Sequence, residues 1–159
     1  MKHFTFIRHT QSLYNEHHVS GRDPELSDKG REMATQLEGS YEYALISNMK
    51  RAQETFECAY NLTASVVEIS SLCRENVSDK ESRHGPSNMM KGEENNSEDD
   101  IDFDFRMSLL RKFLLYRASQ YDTIVIVTHQ GVIKALTGEN LKNGQCFSTN
   151  ELLKKRPNK

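Results

Sequence analysis

The chain is 159 residues long, 36% hydrophobic and 28% charged, with a net charge of −2 and a mean hydropathy of −0.73. That is enough chain for one domain with its own core and too apolar a sequence for a disordered one, so residues 1–159 read as a single domain. Cys58, Cys73 and Cys146 form no disulfide framework or zinc pattern and read as buried free thiols, while the lack of a signal-peptide core or of ~20 consecutive apolar residues gives the expectation of a cytoplasmic protein that engages neither membrane nor nucleic acid.

Phe4, Thr5, Phe6 and Ile7 read as a short buried strand that ends where the charge begins, at Arg8, His9 and Thr10. Ser27 is placed to N-cap a helix running to Glu38, with Met33, Ala34 and Leu37 on one face and Gly39 as its stop. Tyr43, Ala44, Leu45 and Ile46 follow as a strand. Ser47 or Asn48 can cap the next helix, residues 49–60, which puts Arg51 in its first turn. Val66, Val67, Glu68 and Ile69 form a third strand.

From about residue 70 to residue 104 periodicity disappears among Gly85, Pro86, Gly92, Asn95 and Asn96, an irregular loop that is long for a compact domain and therefore functional or mobile. Glu93, Glu94, Glu98, Asp99, Asp100, Asp102 and Asp104 crowd into its end. That stretch reads as a solvated, self-repelling segment and leaves the rest of the chain mildly basic. Helical spacing returns with Phe105, Leu109, Leu110, Phe113 and Leu114, while Arg106, Arg111, Lys112 and Arg117 occupy other faces. Residues 123–127 are β-branched and apolar on both faces, as the centre of a parallel sheet requires. This strand breaks at Thr128, His129, Gln130 and Gly131 and continues as a short helix over residues 132–136, and residues 153–157 read as a fraying tail. Strands alternating with helices predict an α/β fold with a mostly parallel sheet and helices on both faces.

Arg8 and His9 follow the first strand, Arg51 opens the helix after the second, Glu75 comes shortly after the third, and His129 follows the fourth. All five lie beyond the carboxyl ends of strands, the edge at which open α/β sheets bind ligands, and helix N-termini at that edge add N–H donors. Two arginines, two histidines and a carboxylate suit a phosphate monoester. Guanidinium pairs bidentately with phosphate oxygens, and phosphoryl transfer asks chiefly for positioning and charge stabilisation. A histidine nucleophile must be neutral; the neighbouring cations favour that form, and a backbone carbonyl on Nδ1–H would fix its tautomer. His17 and His18 lack a third ligand at zinc-like spacing and His84 sits in the irregular loop, so they read as surface residues, with no metal or cofactor expected.

Arg8, His9, Thr10, Gln11 and Ser12, together with Asn15, Gly21 and Leu26-Ser27-x-x-Gly30, resemble the opening of the histidine phosphatase superfamily, the phosphoglycerate-mutase-like family, in its small single-domain phosphatase branch. Ser47-x-x-x-Arg51-Ala52-x-x-Thr55 is similar to the family's second arginine motif, Leu72-x-Arg74-Glu75 to its acid region, and Thr128-His129-Gln130-Gly131 to its second histidine motif, in the family's order over most of the chain. Thr10 stands where glycine is common. The acid region is one residue longer than the usual Leu-x-Glu, which keeps Glu81 beside Glu75 as a candidate proton donor.

The resemblance implies a three-layer α/β/α sandwich in which His9 attacks phosphorus to form a phosphohistidine, with Arg8, Arg51 and His129 around the transferred group. It implies Glu75 as general acid and then base, and Asn15, Gly21 and the Gln130 backbone as phosphate contacts. The implied activity is a metal-independent phosphatase acting on a phosphorylated small molecule or phosphoprotein. Two alternatives stay open: mutase-type phosphoryl transfer, for which the resembling mutases carry extra segments that enclose the substrate, and a catalytically weak phosphate-binding pseudoenzyme. Nothing in the sequence selects a substrate or an oligomeric state.

Overall fold

The computed structural model describes residues 3–17, 23–76 and 98–154. Strands β1 (His3–Arg8), β2 (Glu38–Ser47), β3 (Asn61–Ser70), β4 (Thr123–Thr128) and β5 (Cys146–Thr149) form one sheet in the order β3-β2-β4-β1-β5. The first four are parallel, and β5 pairs antiparallel with β1 at the edge. Around the sheet lie helices α1 (Leu13–His17), α2 (Asp28–Ala34), α3 (Lys50–Cys58), α4 (Asp100–Ala118) and α5 (Gln130–Thr137).

Side chains alternate across a strand, so each central strand feeds two cores. Phe4 and Phe6 of β1, Tyr43 and Leu45 of β2, and Ile124 and Ile126 of β4 pack on one face against Phe103, Met107, Leu110 and Leu114 of α4 and Val132, Ile133 and Leu136 of α5. Ile7, Ala44, Ile46, Val125 and Val127 point the other way, toward Ala52 of α3 and toward Leu37 and Leu62. The sheet is thus the middle layer of an α/β/α sandwich, and β4, between β2 and β1, is its buried centre.

Several boundaries differ from the sequence expectation, each for a local reason. Ser27 does cap α2, its Oγ accepting from Gly30 N–H at 3.0 Å, but the helix ends at Ala34, where Thr35 N–H turns back to the carbonyls of Arg31 and Glu32. Gly39 is no helix stop: it lies inside β2 with φ 142°, where a Cβ would meet the Tyr41 ring at 2.7 Å. Both β2 and β3 are ten residues long because their outer halves pair with each other, Glu38 with Asn61 through Tyr41 with Ala64, independently of the apolar centre. The short α1 and the half-exposed β5 carry no periodic signal, and β5 exists because β1 supplies its ladder.

Helix α4 departs furthest from the sequence expectation. It starts at Asp100, where the Asp99 side chain accepts from Asp102 N–H at 2.8 Å, and its buried face is Phe103, Arg106, Met107, Leu110, Leu114 and Ala118. Phe105 and Leu109 face solvent instead. Arg106 and Glu98, expected on a solvated face and in a solvated stretch, are both buried and paired with each other. Of the cysteines only Cys73 is buried; Cys58 is half-buried and Cys146 exposed. Leu152 is buried just before the expected tail, and Leu153 N–H bonds to Leu136 O at 2.8 Å, so the tail is tied at its first backbone group while the Leu153 side chain stays exposed. Gly21, Glu81 and His84 lie outside the described residues.

Candidate active site

β1 and β4 are neighbours in a register that sets Arg8 against Thr128, so the chain leaves both strands side by side as His9 and His129. His9 N–H still donates to Thr128 O at 3.0 Å, one step beyond the ladder. The two imidazole centroids stand 5.2 Å apart with planes tilted 58°, and both residues are buried.

The tautomer of His9 follows from its partners. Nδ1 lies 2.7 Å from Thr10 O, which can only accept, and Nε2 lies 3.2 Å from Arg51 Nε, which can only donate. The proton therefore sits on Nδ1 and the lone pair on Nε2. Burial, then the Arg51 and Arg8 charges, drive the His9 pKa down to about 3 against the opposing bond to Thr10, so the ring is neutral at pH 7. The turn after His9 is held from both sides: Thr10 N–H donates to Thr55 Oγ1 at 3.1 Å, Thr55 Oγ1 donates to Arg51 O at 2.6 Å, and Asn143 Nδ2 donates to His9 O at 3.1 Å. Asn143, in the loop before β5, is a contributor that no motif or spacing announces.

Arg51 lies in the first turn of α3. The N-cap residue is Met49, which offers no side-chain cap; Ser47 Oγ accepts from Met49 N–H at 3.2 Å and Asp23 Oδ1 from Lys50 N–H at 2.7 Å. Ser47 also stands 2.7 Å from His129 Nε2, and His129 Nδ1 is buried with no partner among the described residues. Burial, Arg51 and His9 hold the His129 pKa well below its ordinary value. Arg8 donates from Nη1 to Leu141 O at 2.9 Å; its buried Nε has no partner among the described residues, and burial lowers its pKa against the attraction of Glu75.

Glu75 follows a short 3-10 turn at Ser71–Cys73 that continues from β3. Its carboxylate accepts from Asn76 N–H at 2.9 Å and from Gly131 N–H in the first turn of α5. Burial raises its pKa, and these two N–H groups with Arg51 and Arg8 oppose the rise. Arg8, His9, Arg51, Glu75 and His129 therefore sit together. Asn15 is adjacent: its Oδ1 accepts from Ser12 N–H and Oγ–H at 3.1 and 2.9 Å and from Asn143 Nδ2 at 3.3 Å. The Gln130 side chain turns away, bonding Glu139 O, Asn140 Oδ1 and Leu141 N–H, and so holds the loop whose Leu141 carbonyl receives Arg8. Gly21 cannot be placed relative to this group, lying outside the described residues.

Among the described residues no cluster of three or more His, Cys, Asp or Glu could hold a metal ion, and no helix is long and apolar enough to cross a membrane. Chemically, the site offers a neutral imidazole with its Nε2 lone pair against a guanidinium, a second guanidinium, a second buried imidazole and a carboxyl biased toward its protonated form.

A mostly parallel α/β/α sandwich with this edge is the architecture of phosphoglycerate-mutase-like proteins. The sequence model of the histidine phosphatase superfamily (branch 1) matches residues 4–148, and the chain belongs to that family. No curated protein matches it at the sequence level. Among solved structures it is similar to the alpha-ribazole phosphatase from Shigella flexneri, with 23% identity over 92% of this chain and 89% of that one and a TM-score of 0.70. It is similar also to a mycobacterial glucosyl-3-phosphoglycerate phosphatase solved with VO3, at 19% identity, 93% and 90% coverage and a TM-score of 0.66. A phosphoglycerate mutase from Bacillus anthracis str. Sterne gives 17% identity, 92% and 86% coverage and a TM-score of 0.67.

Proposed function

We propose that the chain is a phosphatase that hydrolyses a phosphate monoester through a phosphohistidine on His9. The observation that carries this reading is the bonding of His9: Nδ1–H on Thr10 O leaves Nε2 as a neutral nucleophile, and the group nearest that lone pair is the Arg51 guanidinium. A guanidinium at 3.2 Å from the attacking atom is placed to bind an equatorial oxygen of the phosphoryl group once substrate displaces it from nitrogen.

In the first half-reaction Nε2 attacks phosphorus in line, the P–O bond to the leaving group breaks, and Glu75 gives its proton to the departing oxygen. Arg8 and Arg51 balance charge on the transferred group and neutral His129 donates a hydrogen bond to it, with Asn15, Gly21 and the Gln130 backbone as further phosphate contacts. In the second half-reaction water attacks the phosphohistidine, Glu75 takes its proton, the N–P bond breaks, and inorganic phosphate leaves with His9 restored. Every charge-balancing role falls to a side chain, so turnover is expected to survive a chelator.

A phosphorylated small molecule is the favoured substrate class over a phosphoprotein, because the phosphatases to which the chain is similar are named for small phosphate esters. The three free cysteines fit a reducing compartment, which supports the cytoplasm as location. The test is a panel of phosphorylated metabolites, phosphoglycerates included, assayed for inorganic phosphate with wild type and His9→Ala. Phosphate release that is lost in the variant supports the reading; isomerisation of a phosphoglycerate without release favours the mutase, and phosphate-analogue binding with no turnover favours a binding module.

A further inference from the structure

Arg106 is a buried cation that the proposed chemistry leaves unused. It projects from α4, and its Nε and Nη2 donate to Glu98 Oε2 and Oε1 at 2.9 and 2.8 Å in a bidentate pair. Nη1 donates to Leu72 O at 2.6 Å and to Arg74 O at 2.8 Å, and Nη2 reaches Glu75 O at 3.5 Å. The carbonyl between these, Cys73 O, accepts from Thr128 Oγ1 at 2.5 Å. Four successive carbonyls, at residues 72–75, thus each accept from one of two buried side chains, and Thr128 itself directly precedes His129.

This segment has left the sheet, so no ladder fixes it. A buried ion pair rarely stabilises a fold more than apolar side chains of the same volume would, whereas a guanidinium presents its donors in a rigid planar fork. What the pair supplies is direction: Glu98 orients the fork, and the fork orients the peptide planes that carry Glu75. We propose that the Arg106 and Glu98 pair is the positioning device for the proton donor, setting where the Glu75 carboxyl meets the leaving oxygen without touching substrate. This rests on the reading of Glu75 as the general acid.

The test uses Glu98→Gln, Arg106→Lys and Glu75→Gln, each checked for a native thermal transition, with single-turnover cleavage measured on an alkyl phosphate and on 2,4-dinitrophenyl phosphate, whose leaving group needs no proton. The proposal expects Glu98→Gln and Arg106→Lys to slow the alkyl ester by roughly 10-fold or more, within the range of general acid catalysis, while the single-turnover rate on the dinitrophenyl ester and the orthovanadate affinity stay within about 2-fold. It also expects no further loss when Glu98→Gln is added to Glu75→Gln. Equal slowing of both esters, additive losses, or an unchanged alkyl rate in folded Glu98→Gln would overturn it. If Glu75→Gln discriminates the two esters and the pair variants do not, the positioning role alone falls; if Glu75→Gln itself fails to discriminate, the acid assignment falls and takes the positioning role with it.

Discussion

A Cβ built on Gly131 would stand 2.5 Å from Glu75 Oε1. The first turn of α5 can approach the carboxylate and donate its Gly131 N–H only because that residue has no side chain. Gly131→Ala should therefore push the carboxyl out of place while the side chains proposed to bind phosphate stay. We expect kcat on an alkyl phosphate to fall roughly 10- to 100-fold, the scale of a misplaced general acid, with orthovanadate affinity within about 2-fold of wild type. Steady-state kinetics with vanadate inhibition checks this, and an unchanged kcat would remove Glu75 from the reaction.

In the proposed reaction two groups set the pH response, and their directions differ. His9, with a pKa of about 3, stays neutral and nucleophilic above that value. Glu75, held above its ordinary value by burial, must be protonated to act as acid, so kcat on an alkyl ester should decline as pH rises through its pKa. Glu75→Gln should abolish that descending limb, as a pH profile of kcat will show.

Folding stability carries a separate signature. In the unfolded chain His9 binds a proton near its ordinary value of 6.5, while in the folded chain it does so only near 3. Between those values the unfolded state holds more protons, so acidification from about pH 6 toward pH 3 destabilises the fold. His9→Asn should lose part of that dependence, visible as a smaller drop in Tm between pH 7 and pH 5.

Ser47 accepts from Met49 N–H and stands 2.7 Å from His129 Nε2, which leaves its own hydroxyl proton for that nitrogen. His129 would then carry its proton on Nδ1, the buried atom without a partner among the described residues, as a donor for a phosphate oxygen. Nitrogen-15 spectra of histidine-labelled protein should report a neutral Nδ1–H tautomer for His129. Ser47→Ala should blur it and lower kcat/KM about tenfold, equivalent to ~1.4 kcal/mol. A protonated Nε2 in wild type would contradict this assignment.

The parts of this molecule that repeat a period were legible in its sequence, and those built from single long-range bonds were not. Residues 123–127 announce a central strand because the four side chains after Thr123 are buried whichever face they take, and Arg8, His9, Arg51 and His129 stand out as charge placed where apolar strands stop. Glu75 could be proposed but not placed, since its position depends on Arg106, 31 residues away, and on Gly131. Arg106 reads as solvated because a cation on an amphipathic helix ordinarily is; its pairing with Glu98 and its bonds to the carbonyls after β3 offset the cost of burial, and no local pattern encodes those partners. Asn143 belongs to the same class, a single side chain reaching back to His9 O from the loop before β5.

In the proposed reaction His9 is the residue that becomes phosphorylated. Its most direct measurement is rapid acid-free quenching of the protein with a labelled phosphate ester under single-turnover conditions, followed by peptide mapping of the label. The expected result is an acid-labile phosphoryl group on His9 that forms before inorganic phosphate appears and is absent from His9→Asn, with turnover reduced by ~10³-fold or more. Label on any other residue, or phosphate release from His9→Asn at near wild-type rate, would contradict it.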